Sequence, residues 1–137
     1  MSDERKVVLI ADDEPDAVAF VRSVLEDDFE VVDAPDGLRA LEEAKARRPD
    51  LIILDVQMPN KDGFTALYDL RRDPATQSIP VVLLTAVTER TGISFSAQAI
   101  QEYMGERPEA YLEKPIDPAH LLQTVRRLTG TLPGTGC

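Results

Sequence analysis

The sequence predicts an α/β domain: a doubly wound, five-stranded parallel sheet in the order 2-1-3-4-5 with helices on both faces. Two observations carry that expectation. Short runs rich in Val, Ile and Leu alternate with stretches of helical periodicity five times along the chain. Several of the runs are apolar without interruption, which means burial on both faces and therefore parallel pairing. Right-handed crossovers then put helices on both faces, and the ligand crevice falls at the carboxyl ends of strands 1 and 3.

The elements follow in order. Strands are read at residues 7–11, 29–32, 51–54, 81–84 and 110–112. Asp13-Glu14-Pro15 starts the first helix, with a cap-type residue and then Pro in the first turn, and Val18, Val21, Val24 and Leu25 form its apolar stripe. Leu38, Leu41, Ala44 and Lys45 carry a second helix that stops at Arg47-Arg48-Pro49. Phe64, Leu67, Tyr68, Leu70 and Arg71 carry a third. The last helix opens at Asp117-Pro118, buries Leu121, Leu122, Val125 and Leu128, and ends at Gly130. Residues 5–130 make one domain, and 131–137 (TLPGTGC) read as a flexible tail.

Composition removes whole classes. The 137 residues are 43% hydrophobic and 29% charged, which fits one globular domain and not a disordered chain. A formal net charge of −10 repels nucleic acid and anionic membrane, so neither is an expected partner. The lone Cys137 rules out an internal disulfide framework and fits a cytoplasmic setting. The N-terminal apolar run is too short and too soon acidic for a signal peptide, and no stretch approaches the roughly 20 apolar residues of a membrane span.

The run LIILD raises the functional question, because an apolar strand stops on Asp55. By itself such an Asp is a turn former or a helix cap. The predicted topology, however, brings Asp12 and Asp13 at the end of strand 1 to the same crevice. The first strand–helix turn contains no Gly, so it makes no phosphate cradle. Clustered carboxylates repel one another unless a cation neutralises them, and Mg2+ suits a few carboxylates plus water. Thr85 ends strand 4 and Lys114 ends strand 5, so both reach the crevice if the order holds. A hydroxyl, an ammonium and a metal around Asp55 make a site for a transferred phosphoryl group, with Asp55 as nucleophile. Each residue alone has a plainer reading: Asp12-Asp13 as helix caps, Lys114 as a solvated strand-end lysine, Thr85 as a β-branched strand residue, Tyr111 as a half-buried aromatic. Met58 and Phe64 read as packing residues, His120 as a surface residue, and Arg126-Arg127 as helix-end charges.

Asp12-Asp13, Asp55 followed by Met58-Pro59 and Gly63, Thr85-Ala86, and Tyr111 three residues before Lys114-Pro115 all occur in order, each at a strand end. With that set, the chain resembles the receiver domains of bacterial two-component response regulators, of the single-domain, chemotaxis-regulator-like type, over about residues 5–130. The resemblance implies a flavodoxin-like fold and Asp55 as phosphoacceptor. It implies Mg2+ held by Asp13 and Asp55 side chains and the Gln57 main-chain carbonyl, with Asp12 acting through water. Lys114 would pair with the phosphoryl group, Thr85 and Tyr111 would form a coupled switch, and the Lys114–Pro115 peptide would be cis. The implied partners are a sensor histidine kinase or phosphotransfer protein and a downstream protein target. The implied catalysis is the domain's own phosphoryl transfer and slow autodephosphorylation.

The stretch between Thr85 and Lys114 departs from that pattern. It is longer than in typical receivers by about two helical turns, on the order of seven residues. It contains Gly92 and four Ser/Thr from Thr88 to Ser96, Ile93 and Phe95 read as exposed, and the usual Ala-Gly pair before strand 5 is replaced by Gly105-Glu106-Arg107-Pro108. A short helix at 97–104, or a long loop before it, is the expectation there. The resemblance also implies that Gln57 and Val87 flank the phosphoryl position. No output domain is expected after Gly130. Three other readings stay open: the excised receiver of a hybrid kinase or larger regulator, a pseudo-receiver that binds partners without phosphorylation, and a metal-dependent phosphatase with an Asp nucleophile. The last class carries Asp-x-Asp after strand 1, where this chain has Asp12-Asp13-Glu14.

Overall fold

Five strands, β1 (Val7–Ala11), β2 (Glu30–Ala34), β3 (Leu51–Asp55), β4 (Val81–Ala86) and β5 (Ala110–Lys114), form one all-parallel sheet in the order β2-β1-β3-β4-β5. The computed structural model describes residues 5–56, 61, 63–86 and 108–130. Gln57, Met58-Pro59, the segment 87–107 with its expected helix at 97–104, and the tail 131–137 lie outside the described residues. Four helices are described: α1 (Pro15–Leu25), α2 (Gly37–Arg47), α3 (Gly63–Arg72) and α4 (Pro118–Thr129).

Alternation along the strands sorts the core into two layers. On one face Leu9, Ala11, Ile52, Leu54, Val81 and Leu83 pack with Ala40 and Ala44 of α2 and Ala66, Leu67 and Leu70 of α3. On the other, Val8, Ile10, Leu51, Ile53, Val82, Leu84 and Leu112 pack with Val21 and Leu25 of α1 and Leu121 and Val125 of α4. All five residues of β3 are buried, which is what the uninterrupted apolar run required. Each fully buried Leu or Ile contributes about 1.5–3 kcal/mol of transfer free energy. That gain holds the polar ends of the sheet in place.

Three strands run past their apolar residues, to Asp55, Ala86 and Lys114. The reason is the ladder: Asp55 pairs with Leu84 and Lys114 with Ala86, so backbone pairing continues where side-chain hydrophobicity stops. β2 starts and ends later than expected. Phe29 is 1% exposed, but its N–H donates to Leu25 O and so closes α1; Asp33 and Ala34 take the ladder positions opposite Ile10 and Ala11.

Helix ends follow capping chemistry with one difference. Asp36 Oδ1 accepts from the Arg39 N–H at 2.9 Å to open α2, and Asp117 Oδ2 accepts from the His120 N–H at 2.8 Å to open α4. At α1 the cap position falls on Glu14, not Asp13, and the Glu14 side chain makes no cap bond. Pro15 suits the first helical position because it has no N–H to satisfy. α2 ends on Arg48 in the left-handed region (φ 46°) and α4 on Gly130 (φ 77°). His120 is exposed, as expected of a surface residue. Arg126 does more than favour a helix dipole, since its guanidinium reaches Asp28 Oδ2 at 2.7 Å and ties α4 to the turn after α1.

Candidate functional site

The carboxyl ends of β1, β3, β4 and β5 converge as the strand order requires. Ala11 leads directly into Asp12, whose N–H donates to Ala34 O at 3.1 Å, so the end of β2 fixes the start of the acidic turn. Asp12 is 2% exposed and Asp55 5% exposed, at the ends of neighbouring strands. Asp13 is exposed beside them. One carboxylate oxygen from each of Asp12, Asp13 and Asp55 lies within 4.8 Å of the others.

Lys114 crosses the top of this group. Its Nζ lies 3.2 Å from Asp12 Oδ2, 3.3 Å from Asp55 Oδ2 and 3.4 Å from Glu14 Oε1. The Asp12 carboxylate is held from both sides, since Oδ1 also accepts the Glu14 N–H at 3.0 Å. The Lys114–Pro115 peptide is cis.

Charge and burial pull against each other here. Burial first, and the neighbouring Asp12 charge second, push the Asp55 carboxyl from its ordinary 3.8 up to about 6, with Lys114 opposing. For Lys114, burial works against the ammonium, but Asp55 and Asp12 outweigh it and raise its pKa above the ordinary lysine value. The site therefore carries an excess of negative charge that one ammonium only partly offsets. A compact divalent cation with oxygen ligands fits such a donor set, and Asp12, Asp13 and Asp55 are the residues that would hold it.

Thr85 is 7% exposed, one residue before the end of β4. Leu83 pairs with Tyr111 and Thr85 with Glu113, so Thr85 and Tyr111 share one face of the sheet on adjacent strands. Tyr111 is half-buried and packs against the α2/α3 core layer. Of the residues singled out from the sequence, Asp12, Asp13, Asp55, Thr85 and Lys114 lie at one end of the sheet. Gln57 falls outside the described residues.

Local sequence also shapes the loop after β3. A Cβ on Gly63 would lie 2.4 Å from the Asp55 carbonyl oxygen, so only Gly lets α3 start this close to the strand end. The Gly63 N–H donates to Val56 O at 3.0 Å, which ties the start of α3 to the residue after β3. At Gly37 a Cβ would meet the Lys61 carbonyl oxygen at 2.2 Å, so the Lys61 backbone lies against the start of α2. Lys61 in turn pairs with Asp69 of α3. Sequence reading missed three of these features: Gly37, the Lys61–Asp69 pair and the reach of Glu14 to Lys114. For Glu14 the available signal was its place between Asp13 and Pro15, a position that points the residue out of the helix.

The chain matches a family described as response regulator receiver domain over residues 8–126. It is 39% identical over 123 residues to the response regulator PleD of Caulobacter vibrioides, covering 89% of this chain and 26% of PleD, so it spans about a quarter of that relative's length. It is 31% identical over 121 residues to the protein PilH of Pseudomonas aeruginosa, covering 86% of this chain and 93% of PilH. Among solved structures, a putative response regulator from Chloroflexus aurantiacus superposes with a TM-score of 0.78 at 32% identity, covering 93% of this chain and 99% of the other.

Proposed function

Because the chain belongs to the response regulator receiver domain family, we propose that Asp55 is a phosphoacceptor, loaded by a sensor histidine kinase or a phosphotransfer protein and read by a downstream protein. The observation that carries this is the ammonium of Lys114 set between Asp12 and Asp55, 3.2 and 3.3 Å from their carboxylates. A structural ion pair needs one carboxylate. One ammonium shared by several carboxylates leaves negative charge unmatched, which calls for a further cation, and that ammonium stands beside Asp55 where a phosphoryl oxygen would lie.

In the transfer an Asp55 Oδ attacks phosphorus, and an O–P bond forms. The donor's bond to phosphorus breaks with its electron pair going to the leaving group, a phosphohistidine nitrogen or an acetate oxygen. Asp55 must be ionised to attack; with its pKa near 6 it is, at neutral pH. Lys114 then neutralises part of the charge on the phosphoryl oxygens, and the Thr85 hydroxyl donates to another. Hydrolysis empties the site: water attacks phosphorus, the Asp55 O–P bond breaks with its electron pair returning to the carboxylate, and inorganic phosphate leaves as the water's proton is released. Mg2+, when bound by Asp12, Asp13 and Asp55, supplies Lewis-acid neutralisation of the phosphoryl oxygens. Thr85 and Tyr111 serve as the switch pair, reporting the phosphoryl group to the surface beside β4 and β5. The setting is cytoplasmic, with partners that are proteins and neither nucleic acid nor membrane. The net charge of −10 supports this, and no helix among the described residues is long and apolar enough to cross a membrane.

Intact-mass measurement after incubation with acetyl phosphate tests the reading. The expected result is one phosphoadduct that forms with Mg2+, is lost in EDTA and is absent in Asp55→Asn. An adduct that persists in Asp55→Asn, or forms equally in EDTA, overturns it. The chain has no Trp, so tryptophan quenching cannot serve as the readout.

A further inference from the structure

Glu14 stands at the cap position of α1, where a side chain ordinarily accepts a hydrogen bond from the first turn. It makes no such bond. Its backbone is extended (φ −99°, ψ 114°), and its N–H goes to Asp12 Oδ1. Its carboxylate instead reaches Lys114 Nζ at 3.4 Å, across 100 residues of sequence, while its side chain remains 66% exposed. Lys114 is thus approached from inside by the buried Asp12 and Asp55, and from the solvent side by Glu14. A dianionic phosphoryl group entering from solvent arrives on the side that Glu14 occupies.

We infer that Glu14 is a positioning residue that competes with the incoming phosphoryl group for Lys114, and so restrains loading by small anionic donors. The inference rests on Asp55 being the phosphoacceptor. In the resting state Glu14 engages the ammonium from the solvent side. When phosphorus is bonded to Asp55, Lys114 turns to the phosphoryl oxygens and Glu14 is released, since its charge repels the same group. A carboxylate this exposed pairs weakly, so the competition is a modest brake and not a block. It selects by donor charge: a small dianion meets the full restraint, whereas a protein donor can bring a cation of its own to Glu14.

The test uses the full chain at saturating Mg2+, with Glu14→Gln and Glu14→Asp. Affinity for beryllofluoride, an anionic phosphoryl mimic, and the rate of loading by acetyl phosphate should both rise about two- to fivefold in Glu14→Gln, as expected for loss of a partly exposed ion pair. The gain should shrink at high salt. Asp is one methylene shorter and a better helix cap, so Glu14→Asp should leave Lys114, cap α1, and match the Gln variant in affinity while melting higher than the parent. NMR of the lysine side-chain Cε–H signals should show a shifted Lys114 resonance in both variants before any mimic is added. Unchanged or reduced affinity in Glu14→Gln overturns the inference. So does an Asp variant that behaves as the parent, because the effect is then the diffuse field of a charge and not a contact with Lys114. If the parent itself takes no phosphoryl at Asp55, the phosphoacceptor reading fails. If the parent loads and Glu14→Gln loads identically, only the role of Glu14 fails.

Discussion

At the N-terminal edge of the sheet, carboxylates close the ladder. Asp50 Oδ2 accepts the first N–H of β1, from Val7, at 2.8 Å. Glu109 Oε1 accepts the first N–H of β4, from Val81, at 2.7 Å, and the Arg71 guanidinium lies 2.7 Å from the same oxygen. Arg71 also donates to Ile79 O at 3.0 Å, so one side chain joins α3, the turn before β4 and the start of β5. Each of these two carboxylates meets a backbone N–H that would otherwise lack a partner, and the arrangement is complete without any ligand. At the C-terminal edge the same residue types are crowded: Asp12, Glu14 and Asp55 share the single ammonium of Lys114, and Asp13 stands beside them. One edge stabilises the fold. The other leaves like charges crowded together, which is the ground for proposing that a cation and a phosphoryl group bind there.

The contrast can be broken most forcefully with Mg2+ and pH. The Asp55 carboxyl titrates near 6 in the fold against an ordinary 3.8. Between those values the folded chain holds a proton that the unfolded chain has lost, so this group's contribution to stability falls as pH rises through the window. Mg2+ requires the ionised carboxylate, so its stabilising effect grows over the same range. The difference in melting temperature with and without Mg2+ should therefore widen between about pH 5 and about pH 7. At a free concentration about 100 times its Kd, the gain is about 2.7 kcal/mol. Asp13→Asn should shrink that difference. A parent whose melting temperature ignores saturating Mg2+ at neutral pH would contradict the account of the C-terminal edge.

The opposite edge should answer in the opposite sense. Glu109→Ala removes the partner of the Val81 N–H and of Arg71 and should cost about 1–2 kcal/mol in denaturant unfolding, with no dependence on Mg2+. Stability that changes with Mg2+ in this variant more than in the parent would mean that the two edges are not separate. The smallest effect is expected at a backbone position that belongs to neither charge cluster. Arg48 ends α2 in the left-handed region, which favours Gly, so Arg48→Gly should stabilise by about 0.5–1 kcal/mol without altering loading at Asp55.

The sheet and most of the site were legible in the sequence for one reason: burial on both faces leaves a local apolar signal, and strand order follows from alternation. Asp55, Thr85 and Lys114 could be placed because each interrupts or ends such a run. What was not legible depends on contacts between distant parts of the chain. The strands' extra residues are set by ladder partners. The need for Gly at position 37 is set by the Lys61 carbonyl, which no local pattern announces. The Glu14 side chain leaves its helix for Lys114, against ordinary capping behaviour. The stretch 87–107, where the sequence departs from the receiver pattern, lies outside the described residues.

Borohydride trapping addresses the central claim most directly. An aspartyl phosphate is an acyl phosphate, and borohydride reduces it to homoserine, marking the residue that carried phosphorus. After loading with acetyl phosphate and Mg2+, peptide mapping should find homoserine at position 55 alone, and none when Mg2+ is removed. Homoserine at Asp12 or Asp13, or none at position 55 in a sample whose intact mass shows the adduct, would contradict the assignment of Asp55 as the residue this edge was built to phosphorylate.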